Sequence, residues 1–178
     1  MLTRFVRFNI IFWLLAGLVA ATGCQSAKKS EEKKKKKELT IVEFHLESTP
    51  DGLNDTDSIT VNRREPMSLN VDKEPFIDNT GIGSAKLIDE GEGIFSIQIN
   101  FNMAGKLRLD INTMSHRGKH IAIYCAWGPK RWIAAPVIRG HMGDGVILFT
   151  PDTTHEEAER IVRGINNSVE KLKDDTKW

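Results

Sequence analysis

From Leu39 to Glu47 apolar and polar residues alternate, with Val42, Phe44 and Leu46 set against Glu43, His45 and Glu47. A period of two predicts a β-strand with one face in a core and the other in water. Ser48 to Asp57 is rich in Pro, Asp, Gly and Asn and predicts a loop, and Ser58–Asn62 and Met67–Val71 read as short extended pieces. Ser84–Asp89 and Ile94–Phe101 flank Glu90-Gly91-Glu92-Gly93, the pattern of a hairpin whose glycines supply positive φ. Met103–Met114 reads two ways. Met103, Leu107, Ile111 and Met114 fit a helical stripe, whereas Leu107, Leu109 and Ile111 fit a strand.

The apolar run His120–Trp127 predicts a central strand. After a Gly128-Pro129 turn, Trp132–Ile138 contains Pro136, which has no amide hydrogen to donate and so marks an edge or a bend. Val146–Phe149 is the last predicted strand. Thr154 with Glu157 three residues on predicts a capping box, and Ala158, Ile161, Val162, Ile165, Val169 and Leu172 share one helical face. Strands through the middle and a closing helix predict an α+β fold: an antiparallel or mixed sheet with the C-terminal amphipathic helix packed on one face.

The N-terminus follows another pattern. Arg4 and Arg7 precede an apolar run of about 12 residues, Ile10–Ala21, too short for a comfortable span of about 20. Small residues then lead into a cysteine as Ala21-Thr22-Gly23-Cys24. Residues 1–23 thus read as a signal peptide, and the junction resembles a bacterial lipobox. That resemblance implies that Cys24 carries acyl chains of the palmitate class and holds the folded part to a membrane, outside the cytoplasm. Position 25 is Gln rather than the Asp of inner-membrane retention, which favours the outer membrane of a two-membrane cell. Residues 24–38 hold seven Lys and three Glu with nothing apolar larger than Ala27, the composition of a solvated tether. Its lysines either meet anionic headgroups or serve as a spacer.

Charge sharpens the division. The whole chain is +1, yet residues 39–178 carry 16 Lys and Arg against 21 Asp and Glu, or −5. The predicted single folded domain is mildly acidic, and the lysine run has no interleaved aromatic residues for base stacking, so nucleic acid is not an expected partner.

Three segments in order resemble a known family: Gly118-Lys119-His120-Ile121-Ala122-Ile123, Ile133-Ala134-Ala135-Pro136-Val137-Ile138-Arg139, and Gly145–Phe149 followed by Thr153–Ile165 with Glu156-Glu157-Ala158. Together they are similar to the head of the first periplasmic domain of the SecD or SecDF export subunits, over residues 69–166. The resemblance implies the same α+β fold and a binding or accessory role, with contact to exported polypeptide or the export apparatus. It carries over no catalytic residue. The chain departs from the family where a short turn is replaced by Ala126–Arg131, and it has no counterpart of the membrane-spanning motor helices.

Among candidate chemical groups, His116 and His120 are four apart, but Gly118 between them argues against a helical ligand pair. His141 and Asp144 share a glycine-rich loop, and His155 falls in the first turn of the last helix. Cys125 lies inside an apolar strand, where a thiol is ordinarily inert. No catalytic motif, metal ligand set, cofactor or small-molecule substrate is expected. The alternatives are a structural envelope protein that reuses the fold, or a small Cys/His-dependent enzyme. The expected partner contact is the Trp127–Trp132 segment, where Trp127 and Trp132 flank Lys130 and Arg131, a composition enriched at interfaces.

Overall fold

The computed structural model describes residues 38–50 and 55–176. The signal-peptide, Cys24 and tether readings lie outside the described residues, apart from Glu38. Among the described residues eight strands and two helices follow one another as β1 (Ile41–Leu46), β2 (Thr56–Val61), β3 (Met67–Asp72), β4 (Ile82–Gly91), β5 (Ile94–Phe101), α1 (Met103–Ser115), β6 (Ile121–Ala126), β7 (Lys130–Ala134), β8 (Val146–Phe149) and α2 (His155–Asp175). A 3-10 turn, Asn79–Gly81, precedes β4. The strands form three antiparallel sheets, in the orders β1-β6-β7, β2-β3 and β4-β5-β8. The fold is α+β, with α2 packed against strands.

The β4–β5 hairpin forms as its glycines predict. Gly91 pairs with Ile94, leaving Glu92 and Gly93 as a two-residue turn with φ of 52° and 78°. Positive φ at both positions matches the twist of the strands it joins. The C-terminal helix also starts where its cap predicts. Thr154 Oγ1 accepts from Glu157 N at 3.2 Å while Glu157 Oε2 accepts from Thr154 N at 2.9 Å. Its buried face is Ala158, Ile161, Gly164, Ile165 and Val169. Of these, Ala158, Ile161, Ile165 and Val169 join Val42, Phe44, Ile97, Ile99, Ile121 and Ile123 in the main core.

Strand β1 keeps its expected wet face at Glu43 and Glu47, which are half-buried, but not at His45. The β2–β3 hairpin lies over the C-terminal end of β1 and over β6, where Ile59, Val61, Leu69, Val71 and Ala122 make a smaller core. His45 is buried beneath it. Its Nδ1 donates to the Asp72 carbonyl at 2.8 Å, and its ring meets Trp132 edge-on at 5.0 Å.

Residues 103–115 are helical, capped by Asn102, whose Oδ1 accepts from Gly105 N at 3.0 Å. The inward face is unusually small: Gly105, Leu109 and Thr113. Gly105 rests directly on the Gly81 backbone, and Thr113 Oγ1 accepts from Met142 N at 2.9 Å, pinning the 140–145 loop to the helix. The helical stripe Met103, Leu107, Ile111 and Met114 consequently points away from the core.

Candidate interaction surfaces

The Trp127–Trp132 segment is less of a loop than its composition predicts. Ala126 pairs with Lys130, so only Trp127, Gly128 and Pro129 lie in the turn, and Lys130, Arg131 and Trp132 belong to β7. Trp127 N donates to Pro129 O at 3.0 Å, and Gly128 has φ of 122°, which its missing Cβ permits. The Trp127 ring is 2% exposed, with the Arg131 guanidinium 5.3 Å from its centroid. Arg131 also pairs with Asp152 at 3.4 Å and with Glu157 at 3.2 Å, so the turn is tied to the capping box of α2. Trp132 is half-buried between Tyr124 and His45. Lys130 alone of the four has an exposed side chain.

The other groups singled out by sequence are held apart. His116 caps α1, its Nδ1 donating to Asn112 O at 2.8 Å, whereas His120 Nδ1 donates to Glu47 Oε2 at 2.7 Å. The same Glu47 oxygen accepts from His120 N at 2.9 Å. Burial opposes ionisation of Glu47, but these bonds and the neighbouring charge outweigh it and hold the carboxyl below its ordinary value. His141 lies 3.3 Å from Asp110, while Asp144 accepts from Val146 N. His155 packs edge-on against Phe95 and pairs with Glu159 at 3.7 Å. Cys125 is buried in β6, and burial pushes its thiol pKa far up, away from the thiolate that chemistry at sulfur requires.

Periodicity does not reveal the groove between the end of α2, the 3-10 turn and the start of β4, because its walls come from distant segments. It encloses about 660 Å³, with Ile82, Val169 and Leu172 as apolar lining and Thr80, Lys173 and Thr176 among its polar neighbours. Two asparagines in the lining are already satisfied. Asn79 Oδ1 accepts from Val42 N and its Nδ2 donates to Thr40 O, and Asn102 Nδ2 donates to Thr80 O. Their amides hold the groove's shape rather than offering free partners to a ligand, and what the groove presents is mainly apolar surface. At the groove's edge Asn102 leads into Met103 and the outward stripe of α1.

Glu38, the first described residue, is anchored on α2. Glu38 accepts from Arg160 Nε at 2.9 Å and from Arg163 at 3.1 Å, and its carbonyl accepts from Asn167 at 2.8 Å. Burial disfavours the Glu38 anion, yet the two guanidiniums prevail and keep its carboxyl below the usual range. Among the described residues no helix is long and apolar enough to cross a membrane.

No protein-family model matches the chain, and no curated protein matches it. Solved structures similar in fold include two of SecDF. The structure of SecDF, a membrane component that enhances protein export, aligns at a TM-score of 0.55 and 16% identity, over 79% of this chain and 68% of that one. SecDF in its super-membrane-facing form aligns at 0.55 and 16%, over 79% of this chain and 20% of its own. The chain thus spans about a fifth of the second protein. At this identity the likeness is one of fold, to the periplasmic region of SecDF.

Proposed function

We propose that the chain is a membrane-tethered binding module of the cell envelope, which holds apolar stretches of extended polypeptide in the groove between α2 and β4. The observation that carries this reading is the groove itself: an open, mainly apolar trough whose amide groups are internally satisfied. Such a surface favours apolar side chains over small polar ligands. The fold shared with a component that enhances protein export supports a polypeptide as the occupant. The lipobox-like Cys24 and the lysine-rich segment supply the anchor and tether in this reading, so the domain works outside the cytoplasm, lipid-anchored, by binding rather than catalysis.

The test is a titration of the full chain with a permanently unfolded polypeptide, reduced and carboxymethylated lactalbumin, followed by fluorescence anisotropy. Leu172→Glu places a charge on the groove wall at an exposed helix position, 37% accessible, and is expected to weaken binding about tenfold, the loss of one leucine contact that the occupant would cover. Ile94→Glu, at an exposed apolar position in the distant hairpin, is expected to change nothing. Equal binding by Leu172→Glu and the wild type, with matched melting curves, overturns the groove assignment.

A further inference from the structure

Helix α1 turns its large apolar side chains to solvent. Met103 is 81% exposed, Leu107 59%, Ile111 55% and Met114 65%, at spacings of four, four and three that line one helical face. A contiguous stripe of this kind marks a surface that meets something apolar.

Charge decides between the available occupants. Residues 103–119 hold Lys106, Arg108, Arg117 and Lys119 against one acid, Asp110, a local +3 within a domain of −5. Asp110 is turned toward His141, and Arg108 and Arg117 are exposed and pair with no carboxylate among the described residues. Arg108 borders the stripe, three residues from Ile111, and Arg117 follows the helix at its C-terminal end. Arg139 is exposed nearby, since Ile138 N donates to Lys119 O and Gly118 N donates to Ile138 O. A second copy would bring two faces of the same positive sign together. An apolar stripe rimmed by unpaired cations is instead the pattern of a helix lying in the interface of an anionic bilayer, its apolar side chains among the acyl chains and its cations at the headgroups.

We infer that α1 docks in the plane of an anionic phospholipid membrane through Met103, Leu107, Ile111 and Met114, with Arg108 and Arg117 on the headgroups. This rests on the reading of the chain as membrane-anchored. In that reading the tether ends at Glu38, and its 14 residues reach at most about 50 Å when extended, so the domain stays near the bilayer. A high local concentration of lipid then makes weak helix docking effective.

The experiment uses the full lipidated protein in vesicles of phosphatidylcholine with or without phosphatidylglycerol, carrying a polarity-sensitive fluorophore on Ile111→Cys. Native Cys125 is buried and does not compete for the label. Ile94→Cys is the control, since it is an exposed apolar residue seven positions before Phe101, about 23 Å along β5 from the start of α1. The expected result is quenching of the Ile111 label, but not the Ile94 label, by spin-labelled lipid in phosphatidylglycerol vesicles. Arg108→Glu with Arg117→Glu is expected to lower the docked-to-undocked ratio at least about 25-fold, at about fivefold per charge removed. An unquenched Ile111 label on vesicle-bound protein overturns the inference, as does equal quenching in neutral vesicles, or disulfide-linked dimers of the unlabelled Ile111→Cys protein. Failure of the anchor reading is distinct, because the protein would then leave the vesicles altogether in high salt.

Discussion

The side chain of Asn166 meets the backbone of Ala85 as a neighbouring strand would. Ala85 N donates to Asn166 Oδ1 at 2.9 Å, and Asn166 Nδ2 donates to Ala85 O at 2.9 Å. Strand β4 is at the end of its sheet, and an unpaired edge is a template for unwanted pairing. One amide from α2 both docks the helix and closes that stretch of edge. Asn79 does the same for β1, bridging Val42 N and Thr40 O.

Replacing Asn166 with Ala leaves the Ala85 peptide without its partners in a part-buried site. The expected loss is about 1–3 kcal/mol of stability, the penalty for unsatisfied buried groups, read from urea unfolding. Asn166→Asp keeps the acceptor but loses the donor, and is expected to fall between the two.

Trp127 is expected to be a stability residue. Trp127→Ala removes a ring at 2% exposure and the cation–π partner of Arg131, and should cost about 3–5 kcal/mol. Lys130→Ala, three residues on at the exposed start of β7, should change stability by less than about 0.5 kcal/mol. Thermal unfolding of the two variants checks this, and a Trp127→Ala protein with an unchanged Tm would contradict the packing described.

Legibility in the sequence follows from how local each signal is. The Thr154–Glu157 cap, the α2 face through Val169 and the β4–β5 hairpin depend on residues within one or two turns of chain and form where the sequence places them, though Leu172 is exposed and the turn takes only Glu92 and Gly93 of the predicted Glu90–Gly93 loop. The outward face of α1 is not legible, because hydrophobicity alone sends Met103, Leu107 and Ile111 inward. What reverses it is Gly105 against Gly81, a close backbone approach between distant positions. His45 is buried for a similar reason, since the alternation along β1 says nothing about the β2–β3 hairpin laid over it. The groove likewise combines residues from 79 to 176, with no period to mark them.

Acid should weaken the fold through Glu38 and Glu47. Both carboxyls titrate below their ordinary value of 4.5 in the folded protein. A depressed folded pKa contributes stability that is present above the unfolded value and lost as pH falls through the folded one. Wild-type protein should therefore lose stability as pH drops below about 4.5, while Glu38→Gln and Glu47→Gln each start lower at pH 7 and fall less steeply. Urea midpoints at pH 7 and in the acid range measure the two slopes. Identical slopes in wild type and Glu47→Gln would remove the His120 pair as a source of stability.

Cys125 should resist alkylation in the native protein and react fully once unfolded. Its thiol is both covered and pushed far up in pKa by burial, so neither access nor thiolate is available. Rapid labelling under native conditions would reopen a thiol-dependent activity.

Gly105 gives the sharpest test of how α1 is seated. In an exposed helix interior Gly→Ala raises stability by about 1 kcal/mol, because alanine restricts the unfolded backbone. Here a Cβ would overlap the Gly81 carbonyl oxygen, which is backbone and cannot swing aside. The helix would have to lift from the 3-10 turn, and overpacking of this kind costs about 1–3 kcal/mol. The expected sign is therefore reversed: Gly105→Ala destabilises, and the Asn102 cap, which spans Gly105 N and Thr80 O, is strained with it. Gly140→Ala is the control, since a Cβ there meets no atom within 4 Å. If Gly105→Ala proved as stable as wild type, α1 would not lie against Gly81, and the outward orientation of its apolar stripe would lose its physical cause.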